Sequence, residues 1–175
     1  MKTNRRNYIV LLLLVALFVA PGVSAYLFYN HLTWLGAAKT NKGELLSPPL
    51  LLAKLGMDAK WRLILWSPAG CDQDCMQQLD KLARIRLALG RRLYQVDSLL
   101  LLGGEAPPLT TAFADSLREQ DIRVLKLSAE DQHRLPTNPE LFIMNPDDYL
   151  VLAYQPTTKP ADIFHDLKRL LNTKE

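Results

Sequence analysis
"WRLILWSPAGCDQDCMQQLDKL", residues 61–82, carries both cysteines of a 175-residue chain, Cys71 and Cys75, with three residues between them. Trp61 to Trp66 is a short apolar run closed by the turn formers Ser67, Pro68 and Gly70, the pattern of a buried strand. Beyond it Cys75, Leu79, Leu82, Ile85 and Leu89 recur at helical spacing, Lys81, Arg84 and Arg86 lie off that stripe, and Gly90 ends the helix. The cysteines therefore sit where a core strand hands over to the first helix.

The order of elements downstream extends this start. "YQVDSLLLL" ends in a second strand closed by Gly103-Gly104, and "PPLTTAFADSLREQ" places Leu109, Phe113 and Leu117 on one helical stripe behind two prolines. "IRVLKLS" (122–128) alternates as a strand, and "ELFIM" and "YLVLAY" flank the turn "NPDD" as a hairpin. Ile163, Phe164, Leu167, Leu170 and Leu171 make the apolar face of a last helix opening at Pro160. This order predicts an α/β fold: parallel strands plus a C-terminal β-hairpin, with helices on both faces.

Upstream the chain changes character. No charged side chain occurs from Asn7 to Ala38, and Tyr8 to Tyr29 is long enough to cross a bilayer as a helix. Arg5 and Arg6 stand directly before it, so the positive-inside bias predicts a cytoplasmic N-terminus (1–7), a transmembrane anchor (8–30), a juxtamembrane linker (31–60) and an exported domain (61–175). In a Gram-negative bacterium that is a single-pass inner-membrane protein with its C-terminal domain in the periplasm. A cleaved signal peptide is the competing reading, because "VSA" at 23–25 meets the small-residue rule and Pro21-Gly22 would break the helix before it. Once Lys2, Arg5 and Arg6 are set aside, the rest of the chain balances its Lys and Arg against its Asp and Glu. With no basic stripe and no basic residues interleaved with aromatics, a nucleic-acid partner is not expected.

Position makes the cysteines chemically interesting. Backbone N–H groups and the dipole at a helix N-terminus stabilise a thiolate. Residues four apart share a helical face with Cβ atoms about 5 to 6 Å apart, so the two sulfurs are within reach of each other once the first turn relaxes. Cys75 lies on the Leu79/Leu82 stripe and is expected to be shielded, leaving Cys71 exposed at the turn. Redox exchange, metal binding by two soft sulfurs and a static disulfide all stay open, although so short a loop restrains the unfolded chain little. Asp72 and Asp74 oppose the helix dipole beside the cysteines, unless they are ordinary helix-start acids.

Taken together, "GCDQDCMQQL" after "WRLILW", the later "NPELFIMNPDDYLVLAY" and the final amphipathic helix resemble a thioredoxin-like domain. The C-x-x-x-C spacing, "LLLLGGEAPPLTTAFADSL" and the N-terminal anchor are more narrowly similar to the SCO/SenC branch. That resemblance implies a membrane-bound accessory protein acting in copper(I) and thiol handling for cytochrome c oxidase assembly, with an oxidase subunit or another periplasmic thiol protein as partner. It implies redox roles for Cys71 and Cys75, a cis-proline at Pro139 beside them, and a metal set of Cys71, Cys75 and His133. The sequence departs from the branch where Asp72, Gln73, Asp74 and Met76 replace its prolines. The branch's metal-ligating histidine aligns near Thr137, four residues beyond His133. A general periplasmic thiol-disulfide oxidoreductase and a non-catalytic binding module of the same fold are the alternatives.

Overall fold
A computed structural model describes residues 2–30, 41–52, 58–138 and 140–172. The chain divides into two compact units, Met1–Thr40 and Asn41–Glu175. In the first, helix α1 (Lys2–Asn30) runs unbroken through Pro21 and Gly22, and its Asn7–Asn30 stretch is long and apolar enough to cross a membrane.

The second unit is built on a six-stranded sheet of order β1-β6-β5-β2-β3-β4. Its strands are β1 (Glu44–Leu51), β2 (Trp61–Ser67), β3 (Val96–Leu102), β4 (Ile122–Lys126), β5 (Glu140–Met144) and β6 (Tyr149–Tyr154). β2, β3 and β4 run parallel, and β5, β6 and β1 continue the sheet antiparallel from β2. Leu63 to Ser67 and all of β3 are buried, as central strands covered on both faces must be. Alternation divides their side chains. Leu63, Leu65, Leu100 and Leu102 enter one apolar cluster with Leu79, Leu82 and Ile85 of α2 (Gln73–Ala88), Leu117 of α3 (Thr111–Glu119) and Ile163, Leu167 and Leu171 of α5 (Pro160–Asn172). Ile64, Trp66, Leu99 and Leu101 enter a second cluster on the opposite face, with Leu127 and Leu135 on either side of the short α4 (Ala129–Gln132). The mixed sheet with helices on both faces is the arrangement that the element order predicted and that the resemblance to thioredoxin-like domains implied.

One element was not anticipated. The stretch read as linker contains β1, an edge strand paired with β6. Pro48 and Pro49 interrupt the period-two pattern and the register shifts between Leu45 and Leu50, so no alternation marked it as a strand. Edge strands tolerate such prolines because one row of their backbone groups faces solvent. A buried carboxylate ties its start down. Asp166, 2% exposed, accepts hydrogen bonds from the backbone N–H groups of Lys42 (2.6 Å) and Gly43 (2.9 Å) and from the Tyr154 hydroxyl (3.0 Å). A Cβ at position 43 would lie 2.5 Å from the Tyr154 ring, so glycine alone fits there. Burial, and then the Asp166 charge, push the Tyr154 phenol far above its ordinary pKa.

A second long-range tie fixes the start of β2. Arg62 is 1% exposed, and its guanidinium donates to Asp148 at 2.5 Å and to the Asp58 carbonyl at 2.7 Å. Asp148 sits in the β5–β6 turn with a φ of 64°, so this charge pair closes the hairpin against the central strand.

Candidate functional site
The cysteines stand where sequence placed them, at the carboxyl end of β2. Ser67 Oγ donates to the Gly70 carbonyl at 2.5 Å, folding Pro68 and Ala69 into a tight turn. Gly70 has a φ of +115°, a conformation that residues with a Cβ rarely adopt. Asp72 then caps α2: its Oδ1 accepts from the Cys75 N–H at 2.9 Å, and its carbonyl takes the N–H of Met76 at 3.0 Å. A disulfide joins Cys71 and Cys75, their Cα atoms 5.1 Å apart. Cys75 is only 4% exposed and belongs to the core cluster with Leu79, whereas Cys71 is half-buried at its edge. The asymmetry expected between the two sulfurs is present, with Cys71 less open than the turn position suggested.

Two other segments meet the end of β2. The loop after β3 approaches from one side: a Cβ at Gly103 would run into the Pro68 carbonyl oxygen, and one at Gly70 would lie 3.1 Å from the Pro107 ring. That loop is held by Ala106, whose N–H bonds to the Gly103 carbonyl and whose own carbonyl accepts from Lys126 Nζ at 2.8 Å. The segment before β5 is tied to the end of β2 through the other face of the sheet, where Trp66 Nε1 donates to the Pro136 carbonyl at 2.7 Å, and Glu140 stands opposite Trp66 in the β2–β5 register. Burial, reinforced by Glu44, holds the Glu140 carboxyl above the usual carboxylate range. Pro139, expected beside the cysteines, lies outside the described residues, as does His31.

The remaining sequence candidate, His133, is not drawn into the site. His133 caps the C-terminus of α4 and is exposed, and His165 is exposed on α5 next to Asp166. Among the described residues, no three His, Cys, Asp or Glu side chains gather as metal ligands. Sequence reasoning saw Asp72 as a charge but missed its capping bond, although an Asp three residues ahead of the N–H it accepts from is a usual N-cap signal. Pro107 and Pro136 carried no local signal at all, because only the fold brings them to Gly70 and Trp66, and Lys126 reaches the loop after β3 only through the Ala106 carbonyl.

A family model described as transmembrane-like, thioredoxin-like, C-terminal domain matches residues 61–173, which is most of the chain. The chain belongs to this thioredoxin-like family. Solved structures agree on the fold. Copper-bound ScoI of Arabidopsis thaliana is 12% identical, with a TM-score of 0.54 over 75% of this chain and 98% of that one. Copper-bound yeast Sco1 is 14% identical, with a TM-score of 0.52 over 66% and 80%. Apo Sco1 of Thermus thermophilus is 18% identical, with a TM-score of 0.51 over 74% and 96%. No curated protein matches the chain. The two sulfurs are bonded to each other, and among the described residues no third His, Cys, Asp or Glu side chain stands with them. What the site presents is a disulfide at the N-terminus of a helix capped by Asp72.

Proposed function
We propose that this protein is a membrane-anchored thiol-disulfide exchange protein whose Cys71–Cys75 pair cycles between disulfide and dithiol while its domain faces an oxidising compartment. One observation carries the reading: the disulfide lies at the start of a helix with one sulfur at the edge of the fold and the other shut in the core. An attacking partner thiolate reaches Cys71, forms a mixed disulfide with it and displaces Cys75 as the leaving thiolate. In the reverse direction Cys75 resolves the mixed disulfide from inside. Strand β2 and helix α2 fix both cysteines, and the turn at Ser67–Gly70 presents Cys71.

The anchor rests on the apolar helix at 7–30, and the periplasmic orientation on Arg5 and Arg6 before it. Keeping an oxidase subunit's cysteines reduced, as the SCO/SenC resemblance implies, is the partner we favour, on the strength of the fold shared with the Sco1 structures. Copper transfer is a second reading, favoured by the copper bound in two of those structures. Titrating the reduced full chain with copper(I) tests it: one equivalent bound through both cysteines supports it, and binding that survives alkylation of both thiols ends it.

Exchange itself is tested with the full chain in a non-ionic detergent and a small disulfide substrate. Cys75→Ser is expected to accumulate a mixed disulfide at Cys71, and Cys71→Ser to lose exchange. Full exchange by Cys71→Ser would refute the assignment.

A further inference from the structure
The carboxylates beside the disulfide are placed to choose its partner. Asp72 lies between the two half-cystines in sequence, and its side chain is pinned by the 2.9 Å bond from the Cys75 N–H. Asp74 is exposed in the first turn of α2, and Glu105 is exposed in the loop whose Pro107 abuts Gly70. From Leu63 to Asp80 there is no Lys, Arg or His to balance them. Lys126, the cation that reaches the neighbouring loop, is committed to the Ala106 carbonyl. The cap has a further effect, because the Cys75 N–H it occupies is a group that would otherwise face developing negative charge at the helix start.

We propose that Asp72, supported by Asp74, makes the Cys71–Cys75 pair selective for thiols that carry positive charge beside the reacting sulfur, such as a cysteine flanked by Lys or Arg on a partner protein. This rests on the exchange reading above. In the step concerned, a partner thiolate attacks Cys71 Sγ, a new S–S bond forms to Cys71, and the Cys71–Cys75 bond breaks with its electron pair going to Cys75, which takes a proton from water. A second partner thiolate then attacks the partner's own sulfur in the mixed disulfide and releases Cys71 as a thiolate. The partner in this step is the electron donor that recharges the pair: it is oxidised to its disulfide, and the pair is reduced by two electrons. Throughout the first attack one negative charge is shared among three sulfurs next to a fixed carboxylate. An anionic attacker is repelled on approach as well, whereas a cation next to the attacking sulfur offsets both penalties. Met76, 43% exposed beside Cys75, adds a soft apolar contact that is indifferent to charge.

The test uses the full chain in a non-ionic detergent at low salt. It compares reduction by cysteamine (ammonium), 2-mercaptoethanol (neutral) and 3-mercaptopropionate (carboxylate), with rates expressed per thiolate present. Asp72→Asn keeps an N-capping acceptor and removes the charge, whereas Asp72→Ala removes both. The wild type is expected to favour cysteamine over mercaptopropionate, and Asp72→Asn to shrink that preference by roughly three- to tenfold, the effect of one neighbouring unit charge at a wet surface. Raising salt to about 0.5 M should shrink the wild-type preference likewise. An unchanged preference in Asp72→Asn, or a change in Asp72→Ala alone, overturns the inference while leaving exchange intact. A wild type that none of the three thiols reduces overturns the exchange reading and this inference with it.

Discussion

Reducing the Cys71–Cys75 bond is expected to leave the domain folded. The bond spans a sequence separation of only 4, so by the loop-closure argument it restrains the unfolded chain by on the order of 2 kcal/mol at 25 °C. The interactions that hold the site do not depend on it. Leu79, Leu82 and Ile85 anchor α2 against β2 and β3 whether or not the sulfurs are joined, and the Asp72 cap, worth about 1 kcal/mol, persists. Set against a typical stability of roughly 5–15 kcal/mol, the loss is tolerable. For a domain of this size it corresponds to a fall in Tm of roughly 5–10 °C. Thermal melts of the full chain in non-ionic detergent, followed by near- and far-ultraviolet circular dichroism with and without a phosphine reductant, measure it. Loss of the near-ultraviolet signal at 25 °C on reduction, or a fall beyond about 20 °C, would show that the bond is a staple and refute the reasoning.

Three further predictions concern the frame around the site. Asp148→Ala leaves Arg62 buried and without its carboxylate, and is expected to cost about 3–5 kcal/mol in chemical denaturation; a loss below about 1 kcal/mol would show that Arg62 does not need its partner. Asp166→Ala strips the acceptor from the Lys42 and Gly43 N–H groups and the Tyr154 hydroxyl, at about 2–4 kcal/mol. Its amide exchange should accelerate first in residues 44–51, and uniform acceleration would contradict the latch. Because burial and Glu44 raise the Glu140 pKa, the folded state favours the protonated carboxyl and loses stability as pH climbs from the usual carboxylate range through the raised value. Glu140→Gln should therefore gain in Tm relative to the wild type at pH 7 more than at pH 4, and a pH-independent difference would count against that environment.

The parts of this molecule legible in its sequence are those written locally. Trp61–Ser67 announced a strand by an apolar run closed with turn formers, α2 and α5 by their stripes, and the cysteine junction by lying between such signals. Strand β1 was not legible, because prolines and exposure on an edge erase the alternation that identifies strands. The ties that hold the site were not legible either. Asp166 reaches backbone groups more than 120 residues away, and Arg62 reaches Asp148 across 86, so nothing near either residue announces its partner. His133 was read from the family resemblance alone. A metal role was inferred from its nearness in sequence to the family's ligand position, yet it is an exposed residue at the end of α4, with no cluster of donors around it among the described residues.

The central claim, that Cys71 and Cys75 form a working couple, is tested most directly by equilibrating the native full chain across a series of thiol/disulfide buffers and scoring both cysteines by alkylation and mass spectrometry. A single reversible two-electron transition is expected, with the circular dichroism of the folded state retained on both sides and Cys71 alkylated faster than Cys75 once reduced. Cysteines that stay oxidised until the protein is unfolded would contradict the account.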